Sequence, residues 1–119
     1  MTKRILVVED QEDNRRIIRD LLMSAGYELI EAADGEAGVR LAEAERPDLI
    51  LMDIQLPVLD GHEATRRIKQ NPELSAIPVI VVTSYALSGD DVKAMEAGSD
   101  AYVSPRQLLA KIREFLPEP

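Results

Sequence analysis

Leu49-Ile50-Leu51-Met52-Asp53-Ile54-Gln55-Leu56-Pro57 is the stretch that decides the fold. Its first four residues are apolar without alternation, and the run is short. A strand buried on both faces reads this way, as strands do in a parallel sheet covered by helices on each side. Asp53 then ends the strand, and more apolar residues follow it, so this carboxylate sits where exposure is poor.

Working outward, four more short runs rich in β-branched residues occur at 4–8, 28–32, 79–82 and 101–103, and the central one spans 49–52. The first, after Arg4, and the one at 79–82 are again continuously apolar. The segments between them have helical spacing. Ile17, Ile18, Leu21 and Leu22 mark the first helix; Ala37, Val39, Leu41, Ala42 and Ala44 the second; Ala64 and Ile68 the third; Val92, Ala94, Met95 and Ala97 the fourth; and Leu108, Leu109, Ile112, Phe115 and Leu116 the fifth. Punctuation agrees. Gly26 and Gly98 follow helices, Asp34-Gly35 and Asp60-Gly61 open them, and Pro47 and Pro78 stand between elements. The order is βαβαβαβαβα, which implies right-handed crossovers and a doubly wound parallel α/β sheet.

Composition narrows the function. The 119 residues predict one domain, 1–119, with no linker or repeat. Aromatics are only 3%, so the core must be aliphatic. Fourteen Lys and Arg against 22 Asp and Glu give a net charge of −8, which disfavours nucleic acid and anionic membrane surfaces as partners. Cysteine is absent and His62 is the single histidine, which excludes thiolate chemistry and multi-histidine metal sites. No apolar run reaches the ~18 residues of a membrane span, and no signal-peptide pattern is present, so a cytoplasmic location is expected. His62 is expected to be exposed, Met23, Met52 and Met95 to be core, and Arg15, Arg16, Arg66 and Arg67 to be solvated, with Asn14 and Arg15 near enough to the strand ends to meet a phosphodonor.

In open α/β sheets the ligand crevice lies beyond the C-terminal strand ends. Glu9-Asp10 follows the first strand, Asp53 ends the third, and Thr83-Ser84 follows the fourth. One acid at such a place is ordinarily a helix cap. Three acids and a hydroxyl at successive strand ends are another matter. Like charges this close repel unless a hard cation joins them, and clustered oxygens suit Mg²⁺ or Mn²⁺. Mg²⁺ so held usually takes a phosphate as a further ligand, and a carboxylate beside it can be the nucleophile that forms an aspartyl-phosphate. The pattern points to a metal and phosphoryl site. No Gly-x-Gly-x-x-Gly or Walker pattern supports a nucleotide-binding enzyme. A phosphatase-like hydrolase would need a second Asp where Gln55 stands.

Four motifs together resemble the receiver domains of two-component response regulators, most closely the single-domain cell-division and chemotaxis types. They are Val7-Val8-Glu9-Asp10, the stretch from Asp48 to Pro57 with Asp60-Gly61, Ile77-Pro78-Val79-Ile80-Val81-Val82-Thr83, and Ala97-Gly98-Ser99-Asp100-Ala101-Tyr102-Val103. The resemblance covers residues 3–104 and resumes at Pro105. It implies a flavodoxin-like sheet in strand order 2-1-3-4-5. It makes Asp53 the phosphoacceptor, with Mg²⁺ (or Mn²⁺) held by Asp10, Asp53 and the Gln55 backbone carbonyl, and by Glu9 through water. Thr83 and Ser84 would bind the phosphoryl group, Tyr102 would be an aromatic switch, and Gln55 and Tyr85 would tune hydrolysis. Pro57 and Gly61 would shape the loop after Asp53. The implied partners are a histidine kinase or histidine phosphotransfer protein and a downstream protein on the face made by helix four, strand five and helix five. Such a domain catalyses only its own phosphorylation and dephosphorylation.

One feature departs from the family. A lysine and a proline usually follow strand five, whereas this chain reads Tyr102-Val103-Ser104-Pro105-Arg106-Gln107-Leu108, about four residues short. Pro105 instead resembles a helix-starting proline. Arg106 is the nearest cation, a weak substitute whose planar fork differs from an ammonium. The loss leaves open an adaptor that binds partners without phosphorylation. So short a hinge also raises the expectation of a displaced last helix, or one swapped in a homodimer.

Overall fold

A computed structural model describes residues 2–53, 56, 59–82 and 90–116. Its strands are β1 (Arg4–Val8), β2 (Glu28–Ala32), β3 (Leu49–Asp53), β4 (Val79–Val82) and β5 (Ala101–Val103). They alternate with helices α1 (Glu12–Ser24), α2 (Gly35–Glu45), α3 (Gly61–Gln70), α4 (Asp90–Ala97) and α5 (Leu108–Phe115), and a 3-10 turn, Pro105–Gln107, leads into α5. All pairings are parallel, and the strand order is β2-β1-β3-β4-β5. Fold and order are those expected from the sequence; β3 runs one residue further and includes Asp53.

Strand period explains the unbroken apolar runs. Ile5, Val7, Leu49, Leu51, Ile80 and Val82 turn to one face of the sheet, where Leu22 of α1 and Leu108 and Ile112 of α5 cover them. Leu6, Val8, Ile50, Met52 and Val79 turn to the other, against Ala42 of α2 and Ala64 and Ile68 of α3. Both faces are dry, so neither can alternate with polar residues. Full burial of each such side chain contributes about 1.5–3 kcal/mol.

The turns hold the layers in place. Asp34 and Asp60 cap α2 and α3, accepting from the backbone N–H of Ala37 at 2.7 Å and of Glu63 at 2.9 Å. Gly26 and Gly98 take φ of 93° and 99°, a region that penalises any Cβ. Lys69 ties α3 to the β4 edge: its Nζ donates to the carbonyls of Ile77 (2.7 Å) and Ser75 (3.1 Å) and pairs with Asp100 at 2.8 Å. Asp100 in turn accepts from the Val79 N–H.

Several expectations are corrected. Met23 and Met95 are about 60% exposed rather than core, while Met52 is fully buried. Ile17 and Val92 are also mostly exposed. Only one stripe of a helix meets the sheet, and in α1 that stripe runs through Ile18 and Leu22; a residue one position earlier is turned by about 100°. His62, expected in solvent, is half-buried, and both ring nitrogens are covered without a hydrogen-bond partner among the described residues. The displaced last helix is corrected as well. Leu108 and Ile112 pack into the chain's own core, because the tight turn closed by the Gln107 N–H on the Ser104 carbonyl (3.0 Å) spans the short connection.

Candidate functional site: an acid cluster at the sheet rim

Sheet register brings the acids together. Val8 pairs with Met52, so Glu9 is level with Asp53, and Asp53 pairs with Val82 of β4. Carboxylate oxygens of Glu9, Asp10 and Asp53 all lie within 4.8 Å of one another. Glu9 is buried, Asp53 half-buried and Asp10 exposed, so the cluster opens outward at Asp10.

The cap question raised by Asp10 is answered by α1 itself. Its N-cap is Gln11, which makes no side-chain cap bond, whereas the Gln11 N–H donates to Glu9 Oε2 at 3.1 Å. Asp10 is therefore not spent on capping, in contrast to Asp34 and Asp60. Burial, chiefly, and the neighbouring Asp53 charge push the Glu9 carboxyl up from 4.5 to about 7, against the pull of the Gln11 N–H. Two charged carboxylates within 4.8 Å of each other repel by about 3 kcal/mol or more at an effective dielectric near 20. A divalent cation removes that repulsion. Mg²⁺ binds oxygens at about 2.1 Å, so two of its ligands lie at most ~4.2 Å apart, and oxygens that all lie within 4.8 Å of one another could close on it. The all-oxygen donor set fits Mg²⁺ or Mn²⁺, and the three carboxylates could hold such an ion.

Arg15 is a residue the sequence undervalued. It is not solvated: its side chain is 16% exposed. Nη1 donates to the Glu9 carbonyl at 2.9 Å, Nε pairs with Glu31 at 3.2 Å, and Glu12 takes the other nitrogen. The Glu9 N–H meanwhile donates to the Ala32 carbonyl at 3.0 Å. The loop carrying Glu9 and Asp10 is thus fixed to β2 and α1. Helical periodicity places Arg15 on α1 but cannot say that its long side chain bends back along the loop.

Tyr102 is half-buried, paired with Val81, and packs against the small cluster of Val81 and Ala94 beneath α4. Arg106 is exposed in the turn before α5. Gly61 is buried at the start of α3. Gln55, Pro57, Thr83, Ser84 and Tyr85 lie outside the described residues. Beneath the acids is a cavity of about 210 Å³, which Glu9, Asn14 and Asp53 share with apolar side chains of β1, β3, β4, α1 and α5.

Comparison with known proteins agrees with this geometry. The sequence profile of the response regulator receiver domain matches residues 5–115. A polar-differentiation response regulator DivK from Brucella ovis is 46% identical over 104 residues, 87% of this chain and 85% of that protein. The crystal structure of the receiver domain of a sensor histidine kinase from Pseudomonas aeruginosa PAO1, with magnesium coordinated in its active-site cleft, superposes with a TM-score of 0.90. It is 37% identical and covers 99% of this chain and 100% of that one. The Mn²⁺-bound form of response regulator Rcp1 superposes with a TM-score of 0.79 at 33% identity, over 95% of this chain and 88% of its own. None of the described helices is long and apolar enough to cross a membrane.

Proposed function

Since this chain belongs to the response regulator receiver domains of two-component signalling, we propose that Asp53 is its phosphoacceptor and that Glu9, Asp10 and Asp53 hold the Mg²⁺ the transfer requires. The observation that carries the reading is the convergence of the three carboxylates, one of them buried and hard to ionise alone. Bound Mg²⁺ supplies charge neutralisation for a dianionic phosphoryl group. Asp53 presents an oxygen at the end of a rigid strand. That oxygen attacks phosphorus, the bond from phosphorus to the donor's imidazole nitrogen breaks, and the donor histidine leaves neutral once protonated. Arg15 keeps the Glu9–Asp10 loop in position through the Glu9 carbonyl. Gln55 would add its backbone carbonyl to the metal, Thr83 and Ser84 would bind the phosphoryl oxygens, and Gln55 and Tyr85 would set the lifetime of the acyl phosphate.

The new group brings roughly −1.5 to −2 charge and strong acceptors. Drawing Thr83 toward it would free space for Tyr102, which lies between β4 and α4. The responding surface is the α4–β5–α5 face, where Val92 and Met95 are exposed and offer apolar anchors to a downstream protein. The phosphodonor is a histidine kinase or histidine phosphotransfer protein.

The test is incubation with acetyl phosphate and Mg²⁺, followed by intact mass. One added phosphoryl group is expected on the wild type and none on Asp53→Asn. No mass gain on the wild type, or equal gain on both, defeats the reading. The missing lysine and proline after strand five favour a second one: an adaptor whose partner binding ignores phosphorylation. That reading predicts that Asp53→Ala and Mg²⁺ removal leave partner affinity unchanged.

A further inference from the structure

We propose that the free edge of β2 takes an extended, lysine-containing segment of a partner protein as a sixth strand. β2 is an outer strand of the sheet, with β1 on its one paired side. In a parallel ladder successive residues turn their N–H and C=O to opposite sides. The Glu28 N–H donates to the Lys3 carbonyl and the Ala32 carbonyl accepts from the Glu9 N–H, so the even-numbered residues of β2 face β1. Leu29 and Glu31 therefore turn their N–H and C=O outward, where no described residue bonds them. A groove of about 510 Å³ follows this edge. Arg19 and Met23 of α1 border it on one side, Arg4 and Glu45 on the other, with half-buried Leu29 and Ile30 between them. The Tyr27 side chain, nine-tenths buried, also lines it, and its hydroxyl has no partner among the described residues. Buried tyrosine hydroxyls ordinarily have one.

Shape and charge choose the occupant. An extended chain rises about 3.3 Å per residue, as β2 does, so a segment of about four residues covers the edge from Glu28 to Glu31. A bare strand enters between the flanking helices. A second copy would have to bring its own α1 and α2 against them, together with a further charge of −8. The cations of the groove are already taken: Arg19 pairs with Glu31 at 2.7 Å and Arg4 with Glu45 at 3.7 Å. Glu28 is exposed, stands level with Arg4 in the ladder, and has no ion pair among the described residues. The unmet charge of the groove is thus one carboxylate, which a lysine on the added strand meets. Side chains of paired strands lie beside one another at the same level. Lysine therefore stands beside Glu28, and β-branched apolar residues stand beside Leu29 and Ile30. The outward N–H and C=O groups of Leu29 and Glu31 supply the hydrogen bonds, as main-chain groups do in other strand additions. The added chain also brings carbonyls to which a tyrosine hydroxyl can donate.

The groove shares no residue with the acid cluster, so the test uses the unmodified full chain in EDTA with no phosphodonor. The probe is the blocked peptide acetyl-Thr-Lys-Val-Val-Thr-amide, titrated into isotope-labelled protein while amide shifts and hydrogen exchange are followed. Saturable shifts are expected along Glu28–Glu31. At saturation the exchange of the Leu29 and Glu31 amides is expected to slow about tenfold, while Ile30, which already faces β1, changes little. That alternation is the signature of an added strand. A peptide with glutamate in place of lysine is expected to bind at least about threefold more weakly, and Glu28→Gln, at an exposed position, to remove the difference. A peptide N-methylated at both valines is expected not to bind. Equal binding of the methylated peptide, or equal slowing at Leu29, Ile30 and Glu31, would show contact without strand pairing and overturn the proposal. A lysine preference that is absent, or that survives Glu28→Gln, would overturn it as well. So would a lack of saturable binding, or the same shifts on concentrating the protein alone, which would assign the edge to a second copy.

Discussion

Replacing Glu9 with glutamine isolates the cost of ionising a carboxyl at the buried end of the cluster. In the folded chain this group holds its proton up to about pH 7, against an ordinary value of 4.5. The difference, at roughly 1.4 kcal/mol per pH unit, comes to about 3 kcal/mol. The sign follows from proton counts. Below pH 4.5 both states are protonated and the term is flat. Between 4.5 and about 7 the unfolded chain has released the proton while the folded one retains it, so stability falls as pH rises; above about 7 the full loss is in place. Glutamine has nothing to ionise. Urea unfolding in EDTA should therefore show Glu9→Gln gaining about 2–3 kcal/mol on the wild type between pH 5 and pH 8, or about 10 °C in Tm for a domain of this size. Saturating Mg²⁺ at pH 8 should stabilise the wild type more than the variant and narrow the gap. A wild-type-to-variant difference that stays constant with pH would refute the argument that burial and the Asp53 charge oppose ionisation at Glu9.

Three other outcomes follow from named contacts. Lys69→Met, which strands the Asp100 carboxylate and removes two bonds to carbonyls, should lower stability by about 2–3 kcal/mol in urea titration without changing Mg²⁺ affinity. Gly38→Ala should cost about 1–3 kcal/mol, because its Cβ would meet Val8 Cγ2 at 2.8 Å; unchanged Tm would show that α2 is free to move off β1. Arg15→Met should weaken Mg²⁺ binding several-fold in calorimetry, since the Glu9 carbonyl loses its guanidinium partner, and equal affinity would deny Arg15 that positioning role.

The sheet was legible because its strands are covered on both sides: at Leu49–Asp53 no helical or alternating pattern competes with a buried parallel strand. The acid cluster was legible for a related reason, since strand ends in such a sheet converge by topology. Side-chain direction was not. Ile17 and Ile18 look alike in sequence, yet one is exposed and the other packs on the sheet, because helical rotation separates neighbours. Arg15 reads as a surface cation until the loop it clasps is seen. Met23 and Met95 show that an apolar residue on a helix need not be core when the stripe facing the sheet is narrow. The cavity was invisible for a third reason: it is the space left between α1 and α5, and no residue encodes a gap by itself.

The most direct test is an anomalous difference map from crystals grown with Mn²⁺. The account predicts one strong peak within direct bonding distance of the Asp10 and Asp53 carboxylates, with Glu9 next to it. An empty map at those three side chains, with the ion bound elsewhere or not at all, would contradict it.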